Sequence, residues 1–268
     1  MNTPHTPRPT GTLCLMPTPL DFGCDELTAL DQIMPAHNLR IALTLTHWIS
    51  ENAKTTRAFI KRVIELAPSL GAEQAIPTLQ ERSITELPRL VHKKGDAQAL
   101  QSGFDAKPLL QAALDGHDMA LVSEAGMPAI ADPGSSVVAA AQALGIRVVP
   151  LVGPSSLLLA LAASGLNGQS FAFVGYLPQD GALRSKRLQE LEALARKTGQ
   201  SQLWIETPYR NAAMMQTITS SLQPATRVLV ASGLTLASAS VQTRKTQDWK
   251  KQTQDWPKDL PCVFGLGG

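Results

Sequence analysis

Residues 120–134 read Ala-Leu-Val-Ser-Glu-Ala-Gly-Met-Pro-Ala-Ile-Ala-Asp-Pro-Gly. An apolar run from Met119 to Val122 stops at Ser123 and gives way to a loop with two prolines and two glycines, followed by a helical stretch over 135–144. The order repeats at once, with a strand over 146–152, the loop Gly153-Pro-Ser-Ser156 and a helix over 157–163. In open α/β sheets, ligands bind at the loops that leave strand C-termini. Pro128, Pro133 and Pro154 fix their backbone φ angles, while Gly126 and Gly153 let a ligand approach the main chain. Two adjacent stiff, polar-tipped loops of this kind point to a small-molecule cleft; the bland alternative is two ordinary turns. Ser155 and Ser156 read more readily as caps of the following helix than as nucleophiles.

These loops need strands and helices to position them. Thr12 to Met16 reads as a first buried strand, ended by Pro17-Thr-Pro19. A helix capped by Asp25 is expected over 25–34, a strand over 39–45, a helix over 54–66 and a weak strand over 76–79. Residues 85–102 carry mixed signals, and 106–114 reads as a helix stopped by Gly116. Beyond Gly168 come strands over 171–174, 203–205, 228–231 and 262–264, with helices over 184–197 and 209–222. Leu188, Leu191 and either Leu194 or Ala195 form the buried stripe of the first of these helices. The expected organisation is a tail over 1–10, an α/β domain over 11–168 with a mostly parallel sheet, and a second, more mixed α/β domain over 169–268.

Composition narrows the functional classes. The chain of 268 residues is 44% apolar, enough for a sizeable core. Cys14, Cys24 and Cys262 are isolated, and no His pair has ligand spacing, so no structural metal is expected and Cys14 and Cys262 read as core residues. Neither a dinucleotide fingerprint nor a P-loop nor a Gly-x-Ser-x-Gly motif is present. The longest apolar runs fall well short of a membrane span, which makes a cytoplasmic location the default expectation. Charge is unevenly spread: residues 1–183 hold 12 basic and 16 acidic groups, whereas 184–258 hold 12 basic and 5 acidic. The basic part suits a polyanionic partner or, equally, a solvated helix surface.

The stretches Leu121-Val-Ser-Glu-Ala-Gly-Met-Pro-Ala-Ile-Ala-Asp-Pro-Gly134, Gly145-Ile-Arg-Val-Val-Pro-Leu-Val-Gly-Pro-Ser155 and Ala162-Ala-Ser-Gly-Leu166 resemble the tetrapyrrole methylase superfamily. Within it they are most similar to bacterial 16S ribosomal RNA cytidine 2′-O-ribose methyltransferases, a likeness that Phe171-Ala-Phe-Val-Gly-Tyr-Leu-Pro178 and Glu206-Thr-Pro-Tyr-Arg210 extend. The resemblance implies two α/β domains, S-adenosylmethionine in the cleft between them, and a homodimer. It places the cofactor-binding set at Pro19, Ser123, Glu124, Ala125, Gly126, Pro128, Ile130, Ser155 and Ser156, with Glu124 either facing the cationic cofactor or orienting its loop. Glu206 and Arg210 are weak catalytic candidates, the alternative being that they pair one helical turn apart.

The chain also departs from the family pattern. Leu20-Asp-Phe-Gly replaces a Gly-Asn-Leu core after the first strand, Ser232-Gly-Leu-Thr-Leu236 replaces a charged Arg-Glu-Leu-Thr-Lys, and Lys258-Asp-Leu260 stands for Lys-Gly-Glu. The region of Ser50-Glu-Asn-Ala-Lys-Thr-Thr-Arg57 replaces Ala-Glu-Asp-Thr-Arg. Three readings follow: a methyltransferase for structured RNA contacted through the basic region 184–258, one for a small acceptor such as a tetrapyrrole, and a cofactor-binding protein impaired in catalysis.

Overall fold

The computed structural model describes residues 9–21, 23–72, 75–252 and 260–267. Most of the expected tail, residues 1–8, and Lys258-Asp259 of the last motif lie outside them. The chain forms two compact units, one of residues 1–22 and 28–154, the other of 23–27 and 155–268.

The first unit runs β1 (Thr12–Met16), α1 (Leu30–Ile33), α2 (Ala36–Thr44), β2 (His47–Ser50), α3 (Ala53–Glu65), β3 (Ser83–Glu86), α4 (Arg89–Gln101), a 3-10 turn (Lys107–Leu110), α5 (Gln111–Leu114), β4 (Met119–Val122), α6 (Ser135–Ala143) and β5 (Arg147–Pro150). Its five strands are all parallel, in the order β3-β2-β4-β1-β5. Helices cover both faces: Leu39, Leu43, Phe59, Ile60 and Val63 pack under one and Leu110, Ala113, Val137 and Ala141 under the other. A strand covered on both faces must be apolar throughout, which is why all four residues of β4 are buried.

Three expectations fail here. Residues 39–45 form α2 and not a strand. Apolar side chains alternate through this stretch, but within the helix Leu39, Ala42 and Leu43 are buried, one helical face, with Leu45 buried at its C-cap and Pro35 in the N-cap position. The true second strand begins three residues after α2 ends. The helix expected from Asp25 is only Leu30–Ile33 and has no side-chain cap; Glu26 instead accepts a hydrogen bond from the Ala237 amide at 2.9 Å. No strand forms over 76–79; β3 follows it.

Side chains close the N-termini of two helices in this unit. Asn52 caps α3 through the Lys54 amide at 2.9 Å, and Glu86 accepts from the Ala53 amide at 2.7 Å. Asp96, next to the kink that Gly95 puts in α4 at φ 74°, accepts from the amides of Gly134 and Ser136, both at 2.9 Å, and so caps α6. Burial opposes its charge, but these bonds and the Ser136 hydroxyl hold its carboxyl below the usual range.

The second unit runs α7 (Ser156–Ser164), β6 (Phe171–Tyr176), α8 (Gly181–Thr198), β7 (Ser201–Glu206), a 3-10 turn (Pro208–Arg210), α9 (Asn211–Ser221), β8 (Arg227–Ser232), β9 (Ser240–Lys245), α10 (Thr246–Lys250) and β10 (Cys262–Gly267). Its sheet has the order β6-β7-β10-β8-β9, with β6 and β7 parallel and the other pairs antiparallel. α7 belongs here and not before a boundary at Gly168, because Leu157, Ala160 and Leu161 pack on Leu203, Leu229 and Val263. β9 and α10 fall in a polar stretch for which no element was expected: Val241 is the single apolar residue of β9, as an edge strand with little buried face allows. Cys14 and Cys262 are both buried, as expected.

Candidate functional site

The parallel sheet of the first unit directs the loops after β1, β2, β4 and β5 to one edge. Two of them are stitched together: the Thr18 amide donates to the Gly126 carbonyl at 2.9 Å, the Gly126 amide returns the bond at 3.1 Å, and Thr18 Oγ1 donates to the Ser123 carbonyl at 3.1 Å. The loop after β2 joins them, with the Glu51 amide on the Val122 carbonyl at 3.2 Å and the Glu124 amide on Glu51 Oε2 at 3.1 Å. Ser123 Oγ is buried and has no protein hydrogen-bond partner among the described residues.

The loop after β4 holds an unusual backbone. Gly126 and Gly134 have φ of 81° and 136°, and Ala129 and Ala131, which carry side chains, both sit at φ 64°. A left-handed alanine costs about 1 kcal/mol or more, so the surroundings must impose this shape. Such strain gathers where a loop is shaped for a ligand. Packing is equally tight below: a Cβ on Gly126 would come within 3.2 Å of Leu20 Cδ2, and one on Gly153 within 2.3 Å of Pro17 Cβ.

Three acids share this edge. Burial, followed by repulsion from Glu51 and Glu124, pushes the Asp132 carboxyl from 3.8 up to about 7. Between those values the folded protein holds a proton that the unfolded chain has released. Stability therefore falls as pH rises through that window and stays lowered above it. Asp132→Asn is expected to raise the melting temperature at pH 8 by several degrees, on the order of 2 kcal/mol, and to leave it unchanged at pH 4. A gain of equal size at both pH values refutes the assignment.

The expected site residues divide between the two units. Ser123, Glu124, Ala125, Gly126, Pro128 and Ile130 lie together on the loop after β4, and Pro19 on the loop after β1. Pro19 and Pro128 are buried, whereas Ile130 is half exposed. Ser155 and Ser156 open α7 in the second unit; Ser155 holds the N-cap position, but its side chain makes no capping bond, so the expected capping is positional only. Glu206 and Arg210 also lie in the second unit and pair at 3.0 Å. The Glu206 side chain is fully buried and accepts from the Thr207 amide, and Arg210 donates to the carbonyls of Leu177 and Pro178 at 3.2 and 3.3 Å. The pair thereby ties the exits of β6 and β7.

Glu51 and Asp132 were not among the expected site residues. Glu51 follows β2 directly, and misplacing that strand hid it; Asp132 stood in a quoted motif, and only its burial among acids singles it out. Asp21, in the departure after β1, is engaged elsewhere: Arg62 grips both its oxygens at 3.0 and 3.2 Å, and the Thr28 amide donates to it at 3.0 Å. Among the described residues no group of three or more His, Cys, Asp or Glu is placed to hold a metal ion.

A parallel α/β unit followed by a mixed α/β unit is an architecture met in known proteins. The sequence model of the tetrapyrrole (corrin/porphyrin) methylases matches residues 59–248, and the chain belongs to that family. Similar proteins are the ribosomal RNA small subunit methyltransferases I of Vibrio cholerae serotype O1 and Pseudomonas aeruginosa. The first is 36% identical over 137 residues, 51% of this chain and 46% of that protein. The second is 46% identical over 95 residues, 35% of this chain and 32% of that protein. The chain thus spans less than half the length of either relative. The solved structure of the methyltransferase CobJ shares the fold, with a TM-score of 0.53 and 14% identity over 97% of this chain and 95% of that one.

Proposed function

We propose that this protein is an S-adenosylmethionine-dependent methyltransferase whose acceptor is a ribose 2′-hydroxyl of small-subunit ribosomal RNA. The loop after β4 is the observation that carries the cofactor reading. It combines a buried Ser123 hydroxyl with no protein partner among the described residues, a left-handed backbone at Gly126, Ala129, Ala131 and Gly134, and the carboxylate of Glu124, which with Glu51 on the neighbouring loop gives a potential suited to a sulfonium cation. Ser123, Glu124, Ala125, Gly126, Pro128 and Ile130 would hold the cofactor, largely through main-chain groups; the same reading takes in Pro19, Ser155 and Ser156. When bound, the cofactor supplies an electrophilic methyl group. The task left to the chain is alignment, and a rigid, pre-shaped loop lowers the entropic barrier to an in-line approach. We assign the Glu206–Arg210 pair a positioning role, since each partner is already engaged in the contacts that tie β6 to β7.

The acceptor reading is supported by the two ribosomal RNA methyltransferases named above. On this reading the protein works in the cytoplasm, as a homodimer; among the described residues no helix is long and apolar enough to cross a membrane. The test is transfer from methyl-labelled cofactor to RNA and to small-molecule fractions of cells lacking the protein. Label is expected in small-subunit ribosomal RNA, on ribose. Label confined to a tetrapyrrole fraction overturns the acceptor, cofactor binding with no transfer overturns the enzyme, and no cofactor binding overturns the whole reading.

A further inference from the structure

The basic balance of residues 184–258 does not translate evenly into a basic surface, and residues 253–258 lie outside those described. Arg184 is buried on α8 and donates to Thr217 Oγ1 and the Gln179 carbonyl, both at 3.0 Å. Arg210 is held by Glu206. These two cations are internal struts. Further along, residues 227–252 contain five basic groups and one acid, Asp248.

We propose that the groove at the outer edge of the second sheet, lined by Arg227, Thr243, Arg244, Lys245, Gln247 and Asp248, binds the sugar–phosphate backbone of the RNA. The proposal rests on the RNA reading and names the surface that meets the substrate. The groove encloses about 500 Å3 and lies where β8 and the edge strand β9 run side by side. Arg227 stands directly opposite Lys245 in the antiparallel register, so their side chains share one face of the sheet; Arg244, opposite Val228, starts from the other. Cations from both faces therefore line one groove, which runs round the end of the edge strand. Cations that reach the groove from both faces of the edge suit the successive phosphates of a strand crossing it.

The surroundings hold these groups in place. The Arg244 guanidinium lies 5.3 Å from the centre of the Trp249 ring and donates to Gln242 Oε1 at 2.9 Å. Trp249 is itself buried and fixed by its indole N–H on the Val228 carbonyl at 3.0 Å. A guanidinium held over an aromatic ring loses little freedom on meeting an anion. The one acid in the groove, Asp248, is met by Lys251 at 3.3 Å. Thr243 and Gln247 add uncharged hydrogen-bonding groups of the kind that accompany phosphate contacts.

Charged side chains on an edge strand also discourage sheet-to-sheet association, and that simpler role makes a different prediction. The experiment measures the affinity of the intact protein for small-subunit ribosomal RNA across a salt series, for the native chain and for Lys245→Gln and Arg244→Gln/Lys245→Gln. Two lost phosphate contacts are expected to weaken binding at 0.1 M salt on the order of tenfold or more and to reduce the slope of log affinity against log salt by between one and two. Cofactor affinity, measured by calorimetry, is expected to stay unchanged. Unchanged RNA affinity and slope in both variants overturn the groove while leaving the RNA reading intact. A native chain with no RNA affinity at low salt overturns both. Lys245 is exposed at the sheet edge, so the single variant keeps the test valid if the double variant is unstable.

Discussion

Arg82→Met is expected to destabilise the first unit by about 3–5 kcal/mol, a fall in melting temperature on the order of 10 °C. Arg82 is 6% exposed and carries no carboxylate partner in its hydrogen bonding. Its guanidinium donates instead to four carbonyls: Ala42 at 2.8 Å, Leu45 at 2.6 Å, Leu43 at 2.7 Å and Pro77 at 3.1 Å. Three of these belong to the end of α2, where the backbone carbonyls lack partners within the helix and the dipole is negative. Methionine fills the space but removes the donor from all four oxygens; the Leu45 carbonyl keeps only the Trp48 indole N–H at 3.1 Å. Arg82→Lys is expected to recover little, because one ammonium cannot reach carbonyls spread around a planar fork. Chemical denaturation of both variants is the check, and full stability of the lysine variant would refute this account.

Gly153→Ala is expected to have the largest effect on ligand binding. The added Cβ would lie 2.3 Å from Pro17 Cβ and 2.4 Å from Pro17 Cγ, so the loops after β1 and β5 must move apart. Pro17 sits in a ring and cannot rotate away. The loop after β1 is bonded through Thr18 to Gly126, so the displacement reaches the strained loop as well. A loss of S-adenosylmethionine affinity of at least about tenfold is expected, with a destabilisation of about 1–3 kcal/mol. Gly168→Ala is the control: nothing lies within 4 Å of its added Cβ and its φ is not positive, so calorimetry and melting should match the native chain. Native-like cofactor binding by Gly153→Ala would show that the loops after β1 and β5 are not part of the binding site.

What could be read from the chain follows from how strongly each element is buried. β4 is enclosed on both faces, so its four residues had to be apolar and the loop beyond them stood out by contrast. The site loop was legible for that reason, together with its fixed prolines and glycines. α2 was not, because Leu39, Ile41, Leu43 and Leu45 alternate like a strand, while Leu39, Ala42 and Leu43 also fit one helical face. Local pattern cannot separate the two; packing against α3 and β2 does. That single ambiguity displaced β2 and with it Glu51, so the acidic grouping around Asp132 could not be assembled. β9 was missed for the opposite reason, since an edge strand with polar residues on both faces has no hydrophobic period. The glutamate–arginine pair was readable from its spacing, because neighbours one helical turn apart meet whatever lies around them.

The position of β10 has a consequence for biosynthesis. It comes last in chain order among the described strands, yet it lies at the centre of its sheet, paired with β7 on one side and β8 on the other, and its Phe264 stacks on Trp204 with ring centres 5.9 Å apart. A nascent chain can therefore pair β6 with β7 and β8 with β9 but cannot join the two ribbons until Cys262–Gly267 has been translated and has left the ribosome. Until then the flanks of β7 and β8 display open backbone to their neighbours, which is the period when a chaperone would matter most.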